Sequence, residues 1–188
     1  MRVLTSTLIA AFLLAFLSGC SAPGDKSPAA KRNTITTMRN DVLTDLYKVK
    51  PDVRAQISAA PGYAVFSNAN INLVFASFGG GYGVVHNNKT GVNTFMKMGE
   101  VGVGLGLGVK DFRVVFVFHS ESAMTQFTEE GWAFGGQADA AAKTGDKGAA
   151  VGGEAVVNNF TIYQLTESGL ALQATVKGTK YWKDSELN

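Results

Sequence analysis

One glycine-rich segment, residues 99–110, constrains the fold of this chain more than any other. Its valines and leucines alternate with the glycines Gly102, Gly104, Gly106 and Gly108. Because successive residues of a β-strand point to opposite faces, a strand here has one aliphatic face and one face without side chains. A helix would spread the same glycines around its circumference and lose stability at each of them. The pattern therefore predicts a strand whose bare glycine face lies against a close neighbour.

Two alternatives remain open for the neighbour of that glycine face. One is another element of the same chain, such as a helix or the wall of a tight barrel, because glycine within strands often marks bends and close backbone packing. The other is a ligand, such as an acyl chain. A bulky substitution on the glycine face should destabilise the domain in the first case and block the ligand in the second.

The start of the chain has the layout of an export signal. Arg2 precedes an apolar run at residues 8–17, which is too short to span a membrane and ends at Leu17-Ser18-Gly19-Cys20. This ending resembles the lipobox of bacterial lipoproteins, in which the cysteine receives acyl chains such as palmitate and becomes the new N-terminus. Several acyl chains anchor a protein stably in a membrane. The alternative is a plain secretory signal in which Cys20 is incidental.

Composition divides the chain into a signal peptide at residues 1–19, an acylated cysteine with a flexible tether at residues 20–33, and one folded domain at residues 34–188. The tether is rich in proline, serine and alanine and has no apolar periodicity. Cys20 is the one cysteine, so the exported chain cannot form an internal disulfide. The formal net charge of +2 gives no general attraction to nucleic acid.

Hydrophobic periodicity predicts two amphipathic helices followed by many short strands. The helices are expected at residues 34–48 and 51–60, and a third, capped by Ser120, at residues 121–129. Strands are expected at residues 63–67, 73–78, 80–87, 92–98, 101–110, 112–119, 132–139, 149–157, 160–166 and 170–176.

These elements predict an α+β fold that is mainly β. Residues 112–118 are almost continuously apolar, as in a central strand that is buried on both faces. Residues 86–91 form a hairpin turn with asparagines and a glycine. Short strands with glycines at bends favour a strongly curved antiparallel sheet or partial barrel. The two N-terminal helices are expected to cover it.

Several glycine and aromatic motifs occur in a characteristic order, at residues 62–66, 78–85, 102–108, 134–139 and 169–170, with a final Gly178. This order resembles the SYLF domain, also called the Ysc84 actin-binding domain, in its bacterial lipoprotein branch. The resemblance covers about residues 34–183. It implies an envelope lipoprotein that binds phospholipid, since eukaryotic members bind phosphoinositide membranes and some bind actin. With Ser21 after the cysteine, lipoprotein sorting implies the outer membrane, facing the periplasm.

The chain departs from the commoner family pattern at three places. Ser67 stands where the family often has proline, His86-Asn87-Asn88 stand where a basic residue is frequent, and residues 68–72 are polar without the common lysine. Two basic positions are thus absent, which argues against phosphoinositide headgroups as the ligand.

The residues do not favour catalysis, a metal or a cofactor. His86 lies in a predicted turn, and Ser120 beside His119 is explained as a helix cap. The sequence contains no nucleophile elbow and no close set of metal ligands.

Cations near strand ends can meet lipid phosphates, and aromatic side chains can insert among acyl chains. The alternatives are a solvated surface for each cation and the core for each aromatic residue. The candidate lipid-binding residues are Lys89, Lys97, Lys110, Arg113, Phe75, Phe78 and Tyr82. Two functions follow: a membrane-anchored module that binds phospholipid, or a structural lipoprotein that holds a protein or envelope partner.

Overall fold

The computed structural model describes residues 27–67, 80–100, 113–133, 154–157, 159–166, 169–170 and 179–188. Its helices are α1 Pro28–Val49, α2 Val53–Ala59 and α3 Glu121–Glu129. Its strands are β1 Gly62–Ser67, β2 Gly80–Asn87, β3 Asn93–Glu100, β4 Arg113–Phe118, β5 Trp132–Ala133, β6 Glu154–Val157, β7 Phe160–Thr166, β8 Gly169–Leu170 and β9 Thr179–Lys183.

The strands form one antiparallel sheet that curves into a half-barrel. Its order is β5-β9-β3-β2-β1-β4-β7-β6, and β8 pairs with β7. The hairpin from β2 to β3 closes through Gly91, which has a φ of 72°, and the hairpin from β7 to β8 pairs Leu165 with Leu170. The predicted fold class, mainly β with a curved antiparallel sheet under N-terminal helices, is confirmed.

Strand β4 lies inside the sheet, and both of its faces are buried. Val114, Phe116 and Phe118 point to the side that carries α3, here named the α3 face. Val115 and Val117 point to the side that carries α1 and α2, the α1 face. An apolar run without polar alternation is what such a strand needs, so the sequence pattern predicted its position correctly.

Helices α1 and α2 cover the α1 face with a stripe of buried aliphatic residues. The stripe comprises Ile35, Val42, Leu43, Leu46, Val53 and Ile57. Each fully buried side chain of this kind stabilises the fold by about 1.5–3 kcal/mol, so the stripe holds both helices on the sheet.

Helix α1 begins at Pro28 and not at the predicted residue 34, so the predicted tether boundary at residue 33 is too late. The hydroxyl of Ser27 accepts a hydrogen bond from the amide of Ala30 at 3.2 Å, and Pro28 fits the first helical position. The start was missed because the buried stripe begins only at Ile35, beyond the first turn.

On the α3 face, α3 inserts Met124 and Phe127 into an aromatic cluster. Ser120 caps the helix as predicted, because its hydroxyl accepts a hydrogen bond from the amide of Ala123 at 3.2 Å. Phe66 and Tyr181 meet in this cluster with ring centroids 4.6 Å apart in a T-shaped arrangement.

Several predictions lie outside the described residues. They are the signal peptide, Cys20, the strands at residues 73–78 and 101–110, Phe75, Phe78 and Lys110, and the glycine face formed by Gly102, Gly104, Gly106 and Gly108. Within the described ranges, no helix is both long and apolar enough to cross a membrane.

Candidate functional site

Three predicted site residues fall in one row across the α1 face. Lys97 of β3 pairs directly with Tyr82 of β2, and Ser67 of β1 pairs with both Tyr82 and Arg113. Directly opposed residues of antiparallel strands point to the same face, so these side chains follow one another across the sheet. On the other side of Lys97, the row ends at Trp182 of β9.

The row crosses the sheet close to where β1 and β3 end and where β2 and β4 begin. Lys89 is not part of it, because it lies in the turn that joins β2 to β3 at the other end of those strands. Its ammonium contacts Glu121 of α3 at 2.6 Å. The structure thus unites Tyr82, Lys97 and Arg113 and separates Lys89 from them.

Each described cation of the predicted set is paired with a carboxylate rather than simply solvated. Besides the Lys89 pair, Arg113 lies 3.2 Å from Asp45 of α1, and Lys97 lies 3.3 Å from Asp184. The Lys89–Glu121 and Arg113–Asp45 pairs are exposed, and exposed ion pairs contribute only about 0–1 kcal/mol each. Their cations can readily exchange the carboxylate for another anion. The Lys97 pair differs, because the side chain of Asp184 is only 2% exposed while that of Lys97 is 30% exposed.

Sequence reasoning missed two residues that complete the surface, Lys180 and Trp182. Both are exposed, and Trp182 is 38% exposed. They alternate along β9 with the buried Thr179 and Tyr181, so the strand period was the signal that could have identified them. We name Tyr82, Lys97, Lys180 and Trp182 the aromatic–lysine cluster.

Gly99 lets the indole of Trp182 lie close to the backbone of β3. A Cβ on Gly99 would lie 3.0 Å from atom Cη2 of the Trp182 ring. Glycine is therefore the residue that leaves room for this diagonal contact, in which an aromatic ring covers a glycine on the neighbouring strand. The indole keeps one side against the sheet and the other towards solvent.

Tyr82 supplies a neutral phenol to the cluster. Burial raises the pKa of Tyr82, and the negative charges of Asp184 and Glu186 raise it further. The hydroxyl therefore remains protonated around neutral pH and can donate a hydrogen bond to an anionic oxygen.

The C-terminal segment, residues 184–188, packs beside the cluster and holds the start of α1 there. The amide of Asp184 donates to the carbonyl of Phe95 at 3.0 Å. A guanidinium nitrogen of Arg32 donates to the carbonyl of Leu187 at 3.0 Å, and Lys31 lies 3.9 Å from Glu186. The first turns of α1 are therefore fixed close to Lys97 and Tyr82.

The residues at which the chain departs from the family pattern have structural roles. Atom Nδ1 of His86 contacts Oδ1 of Asn93 at 2.7 Å. The side-chain oxygen of Asn87 accepts hydrogen bonds from two amides of the hairpin turn. The side-chain amide of Asn88 donates to the carbonyls of Ile57 at 2.6 Å and Ala60 at 2.8 Å, at the end of α2.

The described residues contain no cluster of three or more histidine, cysteine, aspartate or glutamate side chains that could hold a metal ion. His119, which the sequence placed beside Ser120, contacts the hydroxyl of Thr161 at 2.8 Å through Nε2. The Ser120 hydroxyl caps α3 and also contacts the hydroxyl of Ser122 at 3.1 Å.

Comparison with known proteins agrees with the order of motifs in the sequence. The model of the Ysc84 family, described as Las17-binding protein actin regulator, matches residues 99–188, which include β4, α3, β7 and β9. Beta cell expansion factor A of Aeromonas veronii is 32% identical over 168 residues, which is 86% of this chain. The chain spans 60% of the length of that relative. The predicted resemblance is thus confirmed, and the chain belongs to the Ysc84, or SYLF-domain, family.

Proposed function

We propose that the protein is a bacterial envelope lipoprotein, anchored through acylated Cys20, whose Ysc84 domain binds anionic phospholipid through the aromatic–lysine cluster. The lipobox-like ending Leu17-Ser18-Gly19-Cys20 supports the anchor, and Ser21 after it favours the outer membrane, on the side that faces the periplasm. The proposed role is binding and not catalysis, and it requires neither metal nor cofactor.

The observation that carries this proposal is the position of the start of α1. Pro28 is eight positions after Cys20, so the intervening chain spans at most about 29 Å even when fully extended. Ile35 of the second turn lies in one core cluster with Val84 of β2 and Phe95 of β3, which are two residues away from Tyr82 and Lys97 along their strands. An anchor at Cys20 therefore keeps the aromatic–lysine cluster within reach of the membrane surface.

The chemistry of the cluster suits the boundary between lipid headgroups and acyl chains. Tryptophan and tyrosine favour this region because each has an apolar ring and a polar atom. A lysine close to an anionic membrane surface contributes about 1 kcal/mol of attraction. Two lysines give weak binding by themselves, but the acyl anchor converts it into an intramolecular contact and raises the effective lipid concentration.

Vesicle sedimentation tests the proposal without the anchor. The protein is the mature chain, residues 20–188, with Cys20→Ser, which we name the unacylated mature chain. We expect it to sediment with phosphatidylglycerol vesicles and much less with phosphatidylcholine vesicles. Lys180→Gln should weaken the binding about fivefold, which corresponds to the loss of one cation at the surface.

The matched control is Lys89→Gln, which removes the same charge at the other end of the strands. It should leave binding unchanged. Equal losses for Lys89→Gln and Lys180→Gln would mean that the aromatic–lysine cluster is not the contact. An unacylated chain that stays in solution with both kinds of vesicle would favour a lipoprotein that holds a protein or envelope partner.

A further inference from the structure

The carboxylate of Asp184 forms an ion pair with Lys97, a lysine that the proposed lipid site needs. We infer that residues 184–188 form a latch: Asp184 neutralises Lys97 while the segment is docked, and an anionic lipid phosphate that takes Lys97 releases the segment from β3. This inference rests on the proposed function, because it describes how the same lipid-binding surface is regulated.

Lys97 lies between the carboxylate of Asp184 and solvent. Its ammonium lies 3.3 Å from Oδ1 of Asp184 on the inner side, and its side chain is 30% exposed on the outer side. The same Oδ1 also accepts a hydrogen bond from the amide of Glu186 at 2.9 Å, which holds the carboxylate in place. A phosphate that arrives from solvent meets Lys97 on its exposed side.

Lys97 cannot pair with a lipid phosphate while Asp184 keeps its buried position. Asp184 is 2% exposed, and a buried carboxylate that loses its cationic partner is strongly destabilising. Asp184 regains hydration only if the segment that carries it moves away from the sheet. Lipid binding at Lys97 and docking of residues 184–188 therefore exclude each other.

The latch is held mostly by polar contacts, so its release uncovers only a small part of the apolar core. Leu187 is its one buried apolar side chain, and it belongs to a small core cluster with Ile35, Val84 and Phe95. Its polar contacts include the Lys97–Asp184 and Lys31–Glu186 pairs, the hydrogen bond from Arg32 to the carbonyl of Leu187, and hydrogen bonds to backbone atoms of Phe95. Segments with few buried apolar contacts open locally at a small fraction of the free energy of global unfolding.

Hydrogen exchange of the Phe95 amide shows whether the latch is docked. Its amide donates to the side-chain oxygen of Asn188 at 2.9 Å, and its carbonyl accepts from the side-chain nitrogen of Asn188 at 2.8 Å. Release of the segment frees this amide, so its hydrogen exchange should accelerate. Amides of β1, in the interior of the sheet, should keep their protection and serve as the internal control.

The first experiment follows hydrogen exchange of the peptide that contains Phe95 in the unacylated mature chain. We expect faster exchange with phosphatidylglycerol vesicles and no change with phosphatidylcholine vesicles. Unchanged exchange in chain that has bound phosphatidylglycerol would overturn the latch and leave the proposed function standing. Faster hydrogen exchange with inorganic phosphate alone would overturn lipid as the anion that displaces Asp184 from Lys97.

The second experiment uses Asp184→Asn, which removes the charge and retains an oxygen that accepts from the Glu186 amide. We expect about fivefold tighter binding to phosphatidylglycerol vesicles, since one more lysine is free to attract the surface. The control Glu121→Gln makes the same charge change and releases Lys89 at the other end of the strands, so its binding should not tighten. Equal tightening by both variants would overturn the latch.

A loss of folding by Asp184→Asn would not decide the question, because the first experiment uses the unmodified latch. If neither the parent chain nor Asp184→Asn binds phosphatidylglycerol vesicles, the proposed function fails and the latch fails with it. The two failures are therefore distinguishable.

Discussion

Tyr181 carries a buried polar atom that the fold leaves unsatisfied. The residue is 0% exposed, and within the described part of the chain its hydroxyl has no hydrogen-bond partner. Its ring contacts Phe66 and Phe116 in the aromatic cluster, so the ring stabilises the core while the hydroxyl opposes it. An unpaired buried hydroxyl costs about 1–3 kcal/mol.

Tyr181→Phe should therefore increase the free energy of unfolding by about 1 kcal/mol, because it keeps the ring and removes the unsatisfied oxygen. Chemical denaturation of the parent and the variant measures the difference. A decrease in stability would show that the hydroxyl does have a partner in the folded protein.

The same residue predicts alkaline sensitivity. Burial raises the pKa of Tyr181, so the folded state keeps a proton that the unfolded state loses above the ordinary tyrosine pKa of about 10. The contribution of this pKa difference to the free energy of unfolding is fully present below about pH 10, and it declines as the pH rises above that value. Tyr181→Phe should flatten the fall in stability between neutral and strongly alkaline pH, as followed by denaturation at each pH.

Gly83 is required by close packing at the middle of β2. A Cβ on this residue would contact the ring of Phe66 and the carbonyl oxygen of Val65 on β1. Gly83→Ala should lower the free energy of unfolding by about 1–3 kcal/mol through overpacking. The control Gly80→Ala, on the same strand, places its Cβ 3.4 Å from the carbonyl oxygen of Met98 and should be close to neutral in a thermal melt.

At the scale of elements, Asn88 joins α2 to the hairpin between β2 and β3. Its side chain donates hydrogen bonds to two carbonyls at the end of α2, where the last carbonyls of a helix have no partner within the helix. Asn88→Ala should cost about 1–2 kcal/mol for the two hydrogen bonds.

The neighbouring variant Lys89→Ala is the control for Asn88→Ala. It removes only an exposed ion pair and should change stability by less than about 0.5 kcal/mol. Equal effects of the two substitutions in urea denaturation would contradict the capping role of Asn88.

The sequence predicted elements well where one local pattern determines them. The apolar run of β4, the asparagines and glycine of the β2–β3 turn, and the Ser120 cap of α3 each act within a few residues. The start of α1 was missed because its first turn contains no buried apolar residue and contacts residues 184–188, far away in the sequence.

The candidate site was predicted only in part, because it also depends on contacts between residues that are far apart in the sequence. Lys97 and Arg113 were selected as cations near strand ends and Tyr82 as an aromatic residue, but their shared row depends on strand pairing across β3, β2, β1 and β4. The carboxylate partner of Lys97 belongs to Asp184, at the far end of the chain. No local pattern reveals such a pairing, so Lys97 looked like a solvated cation.

At the scale of the whole molecule, one end of the sheet gathers the parts of the proposed membrane interface. Residues 184–188 contact both the first turns of α1 and Lys97 of the aromatic–lysine cluster there. Lys89 and its partner Glu121 lie at the other end of the strands. Charge changes at the two ends therefore separate a specific surface contact from general electrostatic attraction.

The depth of Trp182 in the bilayer distinguishes the proposed membrane contact from a contact through another surface. The chain has two tryptophans, so Trp132→Phe in the unacylated mature chain leaves Trp182 as the single reporter. The control Trp182→Phe retains Trp132, which is half-buried against the aromatic cluster of the α3 face. Both variants are bound to phosphatidylglycerol vesicles whose acyl chains carry bromine, a short-range quencher of tryptophan fluorescence.

We expect membrane binding to shift the Trp182 emission to shorter wavelength and brominated chains to quench it, while the Trp132 emission changes little. Such a result means that the aromatic–lysine cluster enters the region between headgroups and acyl chains. Vesicle-bound protein in which Trp182 remains unquenched would contradict binding through the aromatic–lysine cluster, because the membrane would then contact a different surface of the domain.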